Sequence, residues 1–349
     1  MKFIKSALVS SLLVAASFGA SAQTTINGAG ATFPQPIYAQ WASQYHKLEG
    51  MQINYQAIGS GGGIRQITAN TVDFGASDAP LTVEQLNKGK MIQFPMVMGA
   101  IVPVVHLPGI KPGELRLNGK VLADIYLGNI KNWSDKAIAD LNPGVKLPNE
   151  AIYVVHRSDG SGTTFNFTEY LDQVSPAWHK QVGYAKSISW PSKAIGLGGK
   201  GNAGVANYVQ RTKGSIGYVE YAYAKQSNMT YTQMQNRDGK FLMPTMKSFQ
   251  AAAANADWKN APGYHLLLNN QPGAESWPMT AATFILLHKD QKDEAKAEAM
   301  LKFFSWSYNH GKMAASLDYV PMPASVVNMV KETWAKELKH NGKTFVNAK

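Results

Sequence analysis

Nine consecutive residues, His156-Arg157-Ser158-Asp159-Gly160-Ser161-Gly162-Thr163-Thr164, combine a permanent cation with hydroxyl donors and glycines. That mixture suits the binding of an anion. Ala151 to Val155 precede them as an unbroken β-prone run that reads as a buried strand. Phe167, Tyr170, Leu171 and Val174 follow at helical spacing. The chain therefore runs strand, glycine-rich turn, helix. The first turn of a helix carries backbone N–H groups without partners and the positive end of the dipole, where an anion is favoured. Ser161 and Thr163 add hydroxyl donors, Arg157 adds a planar fixed charge, and Asp159 is placed to hold that guanidinium. An ordinary turn with a capping serine would account for the serine and glycines, but it has no need of the arginine.

Two earlier stretches share this grammar. Thr25-Ile26-Asn27 leads into Gly28-Ala29-Gly30-Ala31-Thr32-Phe33 and a helix with Ile37, Trp41 and Tyr45 every fourth residue. Ile53 to Ile58 alternates like a half-buried strand and ends in Gly59-Ser60-Gly61-Gly62-Gly63, before a helix bearing Ile64 and Ile67. One such loop says little. Three, each with a hydroxyl at a helix N-terminus, suggest one anion held by several dipoles.

The elements that must position these loops come from a chain of 349 residues, long enough for two domains with full cores. Apolar residues make up 45% and charged residues 16%, a globular balance. Residues 1–22 read as a secretory leader. Lys2 and Lys5 give the basic start, Ala7 to Ala20 an apolar segment too short to span a bilayer, and Ala20-Ser21-Ala22 a small-residue cleavage site. The mature chain is expected to begin at Gln23, and its net charge falls from +11 to +9. The basic residues are scattered, without a run or a nucleic-acid motif, which argues against nucleic acid. With no cysteine there is no disulfide, no metal thiolate and no lipid-modified N-terminal cysteine. The expectation is a free protein of the bacterial periplasm.

Thr71 to Gly75 reads as a short strand closed by the loop Ala76-Ser77-Asp78-Ala79-Pro80, and Thr82 with Gln85 resembles a capping box. Gln93 to His106 is a long apolar run that suggests a strand leaving one domain for another, and Thr283 to His288 suggests the return. Val121 to Leu127 reads as a helix, Gly214 to Val219 as a strand, Phe241 to Gly263 as a polar, alanine-rich excursion, and Glu294 to Lys339 as helical apart from a break at Asp318 to Pro321. Strands alternating with helices imply an α/β fold with mostly parallel sheets. Two crossings imply one domain inserted in another. Glycine loops at strand C-termini put the ligand outside the carboxyl ends of the sheets, in a cleft between the domains.

Other chemistries fit poorly. Gly342-Lys343-Thr344 ends like a phosphate-binding P-loop, but Glu337 stands where its first glycine belongs. Gly160-Ser161-Gly162 lacks the spacing of a hydrolase elbow. The eight histidines show no metal-binding spacing. A phosphatase using Ser161 as nucleophile lacks an evident base or metal cluster. A polyanion-binding protein would rest on net charge alone. Asp78 is a loop aspartate of the kind that turns chains. At an anion site it would repel, unless the anion carries a proton that the carboxylate accepts; it would then specify a protonated oxyanion.

The motifs Gly28 to Pro34, Gly59-Ser60 with its glycines, Asp73 to Asp78, Arg157 to Thr163, Gly196 to Asn202 and Gly217 to Ala224 resemble those of the periplasmic phosphate-binding proteins of high-affinity phosphate ABC transporters. The resemblance spans nearly all of the mature chain. It implies a two-lobed, hinged α/β architecture of the Venus-flytrap type. Lobe I would comprise 23–104 and 281–349, and lobe II 105–280. Inorganic phosphate would be the ligand, with no cofactor, no metal and no catalysis. Thr32, Phe33 through its N–H, Ser60 and Asp78 would bind from lobe I. Arg157, Ser161, Gly162 through its N–H, and Thr163 would bind from lobe II. A monomer would deliver the phosphate to an inner-membrane permease of two transmembrane subunits and an ATPase dimer, without contacting nucleic acid or inserting into the membrane. Gly61 replaces a second serine of some members and His156 an arginine; neither is a direct ligand in the family pattern. Ser192-Lys193-Ala194 stands as a small insertion expected at the rim of the cleft.

Overall fold

The structure, a computed structural model, describes residues 25–345. The leader read from residues 1–22 lies outside them. Eight strands form the main path of one long, curled sheet: β1 (Thr25–Gly30), β2 (Gln52–Ala57), β3 (Phe74–Ser77), β4 (Met91–Val105), β5 (Tyr153–Arg157), β6 (Ile195–Gly199), β7 (Ser215–Glu220) and β8 (Thr280–His288). Their order is β2-β1-β3-β8-β4-β7-β5-β6. Four helices follow strands directly related to the loops above: α1 (Gln35–Glu49), α2 (Ser60–Thr68), α3 (Gly162–Val174) and α4 (Gly201–Arg211). This is a two-lobed α/β fold.

β4 organises the molecule. All 15 of its residues are buried. Its first part, Met91 to Ala100, pairs antiparallel with β8, and Ile101 to Val105 pairs antiparallel with β7. A single apolar strand thus belongs to both halves of the sheet, as the length of the run suggested. Between Thr283 and Phe284 the register with β4 shifts, passing from Val97 to Pro95. A bulge is a position where a strand tolerates a proline without an N–H to donate.

On one side β1 pairs in parallel with β2 and β3; on the other β5 pairs in parallel with β6 and β7. Parallel strands of each set end at the same edge, so their following loops collect there. The central ladders around β4 are antiparallel, which corrects the expectation of mostly parallel sheets. The glycine run Gly196 to Asn202 is also more ordered than its composition suggests: Ile195–Gly199 is a strand. Glycine weakens strands in general, but here it permits close packing. A Cβ on Gly199 would lie 2.6 Å from the Val205 nitrogen of α4.

The expected amphipathic face of α1 is buried through Ile37, Tyr38, Trp41 and Tyr45. Thr82 and Gln85 form the capping box read from the sequence, each side chain accepting from the other's backbone N–H. The C-terminal region is two longer helices, Glu294–Asn309 and Ala324–Glu337, separated by a short helix and the bridge Val320–Pro321, which pairs with Met98 and Val97 of β4. That bridge sets Tyr319 against Phe33, with ring centroids 6.3 Å apart. Phe241 to Gly263 contains a helix, Met246–Ala253, with its own capping box. Ser192-Lys193-Ala194 packs on the turn at Gly128, where an added Cβ would meet the Lys193 carbonyl carbon at 2.4 Å.

Candidate binding site between the lobes

The loops after β1, β3 and β2 meet the loops after β5 and β6. The helices that follow, α2, α3 and α4, begin at this meeting. α2 comes close to the sheet because Gly63 has no side chain: a Cβ there would sit 2.5 Å from the Gly30 Cα. On the opposite side Gly162 begins α3, and a Cβ on it would lie 2.5 Å from Ser60 Oγ and 2.6 Å from Asp78 Cβ. Glycine at these two positions lets the backbones approach.

Direct hydrogen bonds join the two sides. The Gly61 N–H donates to the Gly160 carbonyl at 2.9 Å. The Gly162 N–H donates to Ser60 Oγ at 3.0 Å, and the Asp78 N–H donates to the same oxygen at 3.1 Å. A hydroxyl oxygen has two lone pairs and one proton. With both lone pairs engaged in this arrangement, Ser60 has only its proton left to offer.

Arg157 is buried, with a side chain 1% exposed. Its Nε and Nη2 donate to the two oxygens of Asp159 at 2.7 and 2.5 Å, a planar fork that fixes the guanidinium. Asp159 is anchored in turn by the Gly201 N–H at 3.0 Å. Burial opposes ionisation of Asp159, but Arg157 outweighs it and holds the carboxyl below its usual range. The pairing guessed from spacing is therefore present. Below the loop, Tyr218 stacks on Phe167 at 4.0 Å and its oxygen accepts the Arg157 N–H at 3.2 Å.

Asp78 is the opposite case. It is 1% exposed, and its Oδ1 makes no hydrogen bond among the described residues. Burial pushes its pKa up to about 7, against the pull of the Thr283 hydroxyl, the Arg157 charge and the Ser60 hydroxyl. Thr283 is the residue at the bulge between β4 and β8. Asp78 is fixed through its backbone: its carbonyl accepts from Asn166 Nδ2 at 2.7 Å, and Asn166 is held by Asn269.

The remaining residues singled out by sequence also gather here. Thr32, Phe33, Ser60, Ser161, Gly162 and Thr163 are all buried. Ser161 caps α3, accepting the Thr164 N–H at 2.9 Å. Phe33 accepts from the Tyr319 hydroxyl at 2.6 Å through its carbonyl. The same Tyr319 oxygen lies 2.9 Å from Glu220, a fully buried carboxyl whose pKa burial drives well above the usual range. His156 lies to one side, stacked on Trp190 at 4.6 Å; burial lowers its pKa and favours the neutral ring.

Several participants escaped the sequence reading, Tyr319 among them. Asn202 contacts Thr32 and Thr163, Asn166 holds Asp78, and Tyr223 donates to the Thr32 carbonyl. Asn202 and Tyr223 lie inside motifs that were singled out. The available signal was a polar side chain in the first turn of a helix after a glycine-rich strand.

A family model described as the PBP superfamily domain matches residues 15–310, most of the chain. The chain is 54% identical over 323 residues to the phosphate-binding protein PstS of Pasteurella multocida, covering 92% of this chain and 93% of that one. It is equally 54% identical over 316 residues to PstS of Haemophilus influenzae, covering 90% and 94%. The chain belongs to this PstS family of phosphate-binding proteins within the PBP superfamily. Among solved structures it is similar to a high-affinity periplasmic phosphate-binding protein, PfluDING, bound with phosphate. The TM-score is 0.71 at 19% identity, with 91% of this chain and 96% of that chain covered. That likeness speaks for the fold.

Proposed function

We propose that this chain captures inorganic phosphate between its lobes in the periplasm and hands it to the membrane permease of an ABC importer, without chemistry on the ligand. The observation that carries the reading is the buried Asp78 carboxyl with an unengaged oxygen, set among N–H and hydroxyl donors and opposite a fixed guanidinium. Donors alone would suit any oxyanion. An added acceptor suits one that still carries a proton.

Thr32, the Phe33 N–H, Ser60 and Asp78 would act from lobe I, and Arg157, Ser161, the Gly162 N–H and Thr163 from lobe II. Lobe I is assigned to 23–104 with 281–349, lobe II to 105–280, and residues 1–22 to a cleaved leader. The Gly162 N–H donates to Ser60 Oγ here, so the two are within reach of one small ligand, whose binding would take the N–H from that bond. Ser161 serves as a cap, and the neighbouring His156 contacts the Arg157 carbonyl through Nδ1, which favours binding over a phosphatase mechanism. No helix among the described residues is long and apolar enough to cross a membrane. The carrier would be a monomer that docks on two transmembrane subunits driven by an ATPase dimer.

Titration calorimetry with phosphate, arsenate and sulfate tests the reading. Phosphate and arsenate, both protonated at neutral pH, should bind, and sulfate should not. Absence of phosphate binding by the folded mature chain would overturn it.

A further inference from the structure

Asn202 is fully buried at the start of α4, and every polar atom of its side chain is engaged. Its Oδ1 accepts the Glu220 N–H at 2.8 Å, which fixes the amide plane and points Nδ2 away from β7. The two Nδ2 protons then go to two threonines from opposite lobes: Thr32 Oγ1 at 2.8 Å and Thr163 Oγ1 at 3.1 Å. The Asn202 backbone N–H also donates to Thr32 Oγ1, at 3.1 Å. Thr163 Oγ1 receives a second, longer contact from Arg157 Nη1 at 3.4 Å.

Each threonine oxygen thus receives two N–H groups. A hydroxyl whose two lone pairs are taken has only its proton to offer, and it must send that proton elsewhere. Ser60 also receives two N–H groups here, from Asp78 and Gly162, but the second is itself a proposed donor to the ligand. For the two threonines, however, the determinant is one side chain that touches both lobes. We infer that Asn202 is a positioning residue that presets the Thr32 and Thr163 hydroxyls as donors toward the bound oxyanion, and completes this arrangement only when the lobes meet. This rests on the proposed phosphate site and deepens it.

Two consequences follow from the chemistry. A free threonine hydroxyl rotates and presents a lone pair to an anion for part of the time; a preset one does not, so no reorganisation is needed on binding. And because Nδ2 bridges Thr32 of one lobe to Thr163 of the other, closure and donor orientation become one event.

The experiment is a thermodynamic cycle read by calorimetric titration with inorganic phosphate. Asn202→Ala should weaken binding by about tenfold or more, since two preset hydroxyl contacts lose their orientation. In a Thr32→Val/Thr163→Val background the same Asn202→Ala change should cost less than about threefold, because the hydroxyls through which it acts are gone. A role in general stability would instead weaken binding by the same factor in both backgrounds, and that additivity would overturn the inference, as would an unchanged affinity in Asn202→Ala. Circular dichroism and thermal unfolding without phosphate establish that each variant folds. Should the alanine variant not fold, Asn202→Asp keeps the shape of the side chain but replaces both Nδ2 donors with an acceptor. It should lose at least as much affinity as predicted for alanine, and wild-type affinity in that variant would equally overturn the inference. Wild-type protein that fails to bind phosphate would sink the functional reading itself, whereas tight wild-type binding with an additive cycle would sink only the role of Asn202.

Discussion

The two sides of the gap between the lobes treat charge in opposite ways. On the side of β5, Arg157 is neutralised on the spot by a two-pronged ion pair with Asp159. On the side of β3, Asp78 is buried with no ion pair among the described residues, and its pKa rises to about 7. A buried pair costs desolvation but fixes geometry; a buried lone carboxyl is costly when ionised. The difference separates two tasks. On the proposed reading, the paired side would offer a guanidinium held rigid by Asp159, and the unpaired side would keep an acceptor whose energy depends on whether a proton stands in front of it.

The largest effect should come from removing the fork. Charge-assisted hydrogen bonds contribute roughly 1.5–3 kcal/mol each, and about 1.4 kcal/mol is a decade of affinity. Arg157→Ala should weaken phosphate binding by at least about tenfold, measured by calorimetry. Unchanged affinity would remove Arg157 from the site and the comparison with it.

Asp159→Asn sharpens the comparison by loosening the fork without deleting it. The amide oxygen still accepts from one guanidinium nitrogen, so a loss of about threefold to tenfold is expected, on the order of one ordinary hydrogen bond. A loss as large as that of Arg157→Ala would mean that the pair, and not the guanidinium, is the unit of recognition.

The unpaired side predicts a pH dependence. Folded Asp78 keeps its proton up to about pH 7, whereas an unfolded aspartate loses it near ~3.9. Between those limits the folded state binds more protons, so the Asp78 contribution to stability is present at low pH and is lost as pH rises toward 7. Denaturant unfolding of phosphate-free protein from pH 4 to 7 should show a wild-type decline that is shallower in Asp78→Asn. Parallel curves would mean that Asp78 is not buried as an isolated carboxyl.

These features were not equally legible in the sequence. The three glycine loops were, because strand, turn and helix N-terminus are local and the hydroxyls sit within them. The Arg157–Asp159 pair was, because its members stand only two positions apart in the chain. The partners that hold the loops together were not: Asn202 lies 170 residues from Thr32, Tyr223 lies 191 from it, and Tyr319 lies 286 from Phe33. Only the topology, with β4 serving both halves of the sheet, brings them together. β6 escaped for a different reason. A strand built as Ile195-Gly196-Leu197-Gly198-Gly199 has poor intrinsic preference for that state and is held by its parallel ladder to β5. The antiparallel ladders of β4 escaped because apolar runs do not state the direction of their neighbours.

The central claim is that Asp78 selects by the proton on the ligand. A carboxylate can accept from the hydroxyl of phosphate. Facing sulfate it meets another acceptor, and in a buried site little water screens the repulsion. Sulfate competition against labelled phosphate at about pH 8, where Asp78 has given up its proton and phosphate still keeps one, in wild type and in Asp78→Asn, tests this most directly. The wild type should ignore sulfate, and the variant, whose amide can donate, should admit it at concentrations at least about tenfold lower, as expected when a group of order 1.4 kcal/mol or more stops opposing the ligand. Equally poor competition by sulfate against both proteins would contradict the account and leave Asp78 as a turn residue.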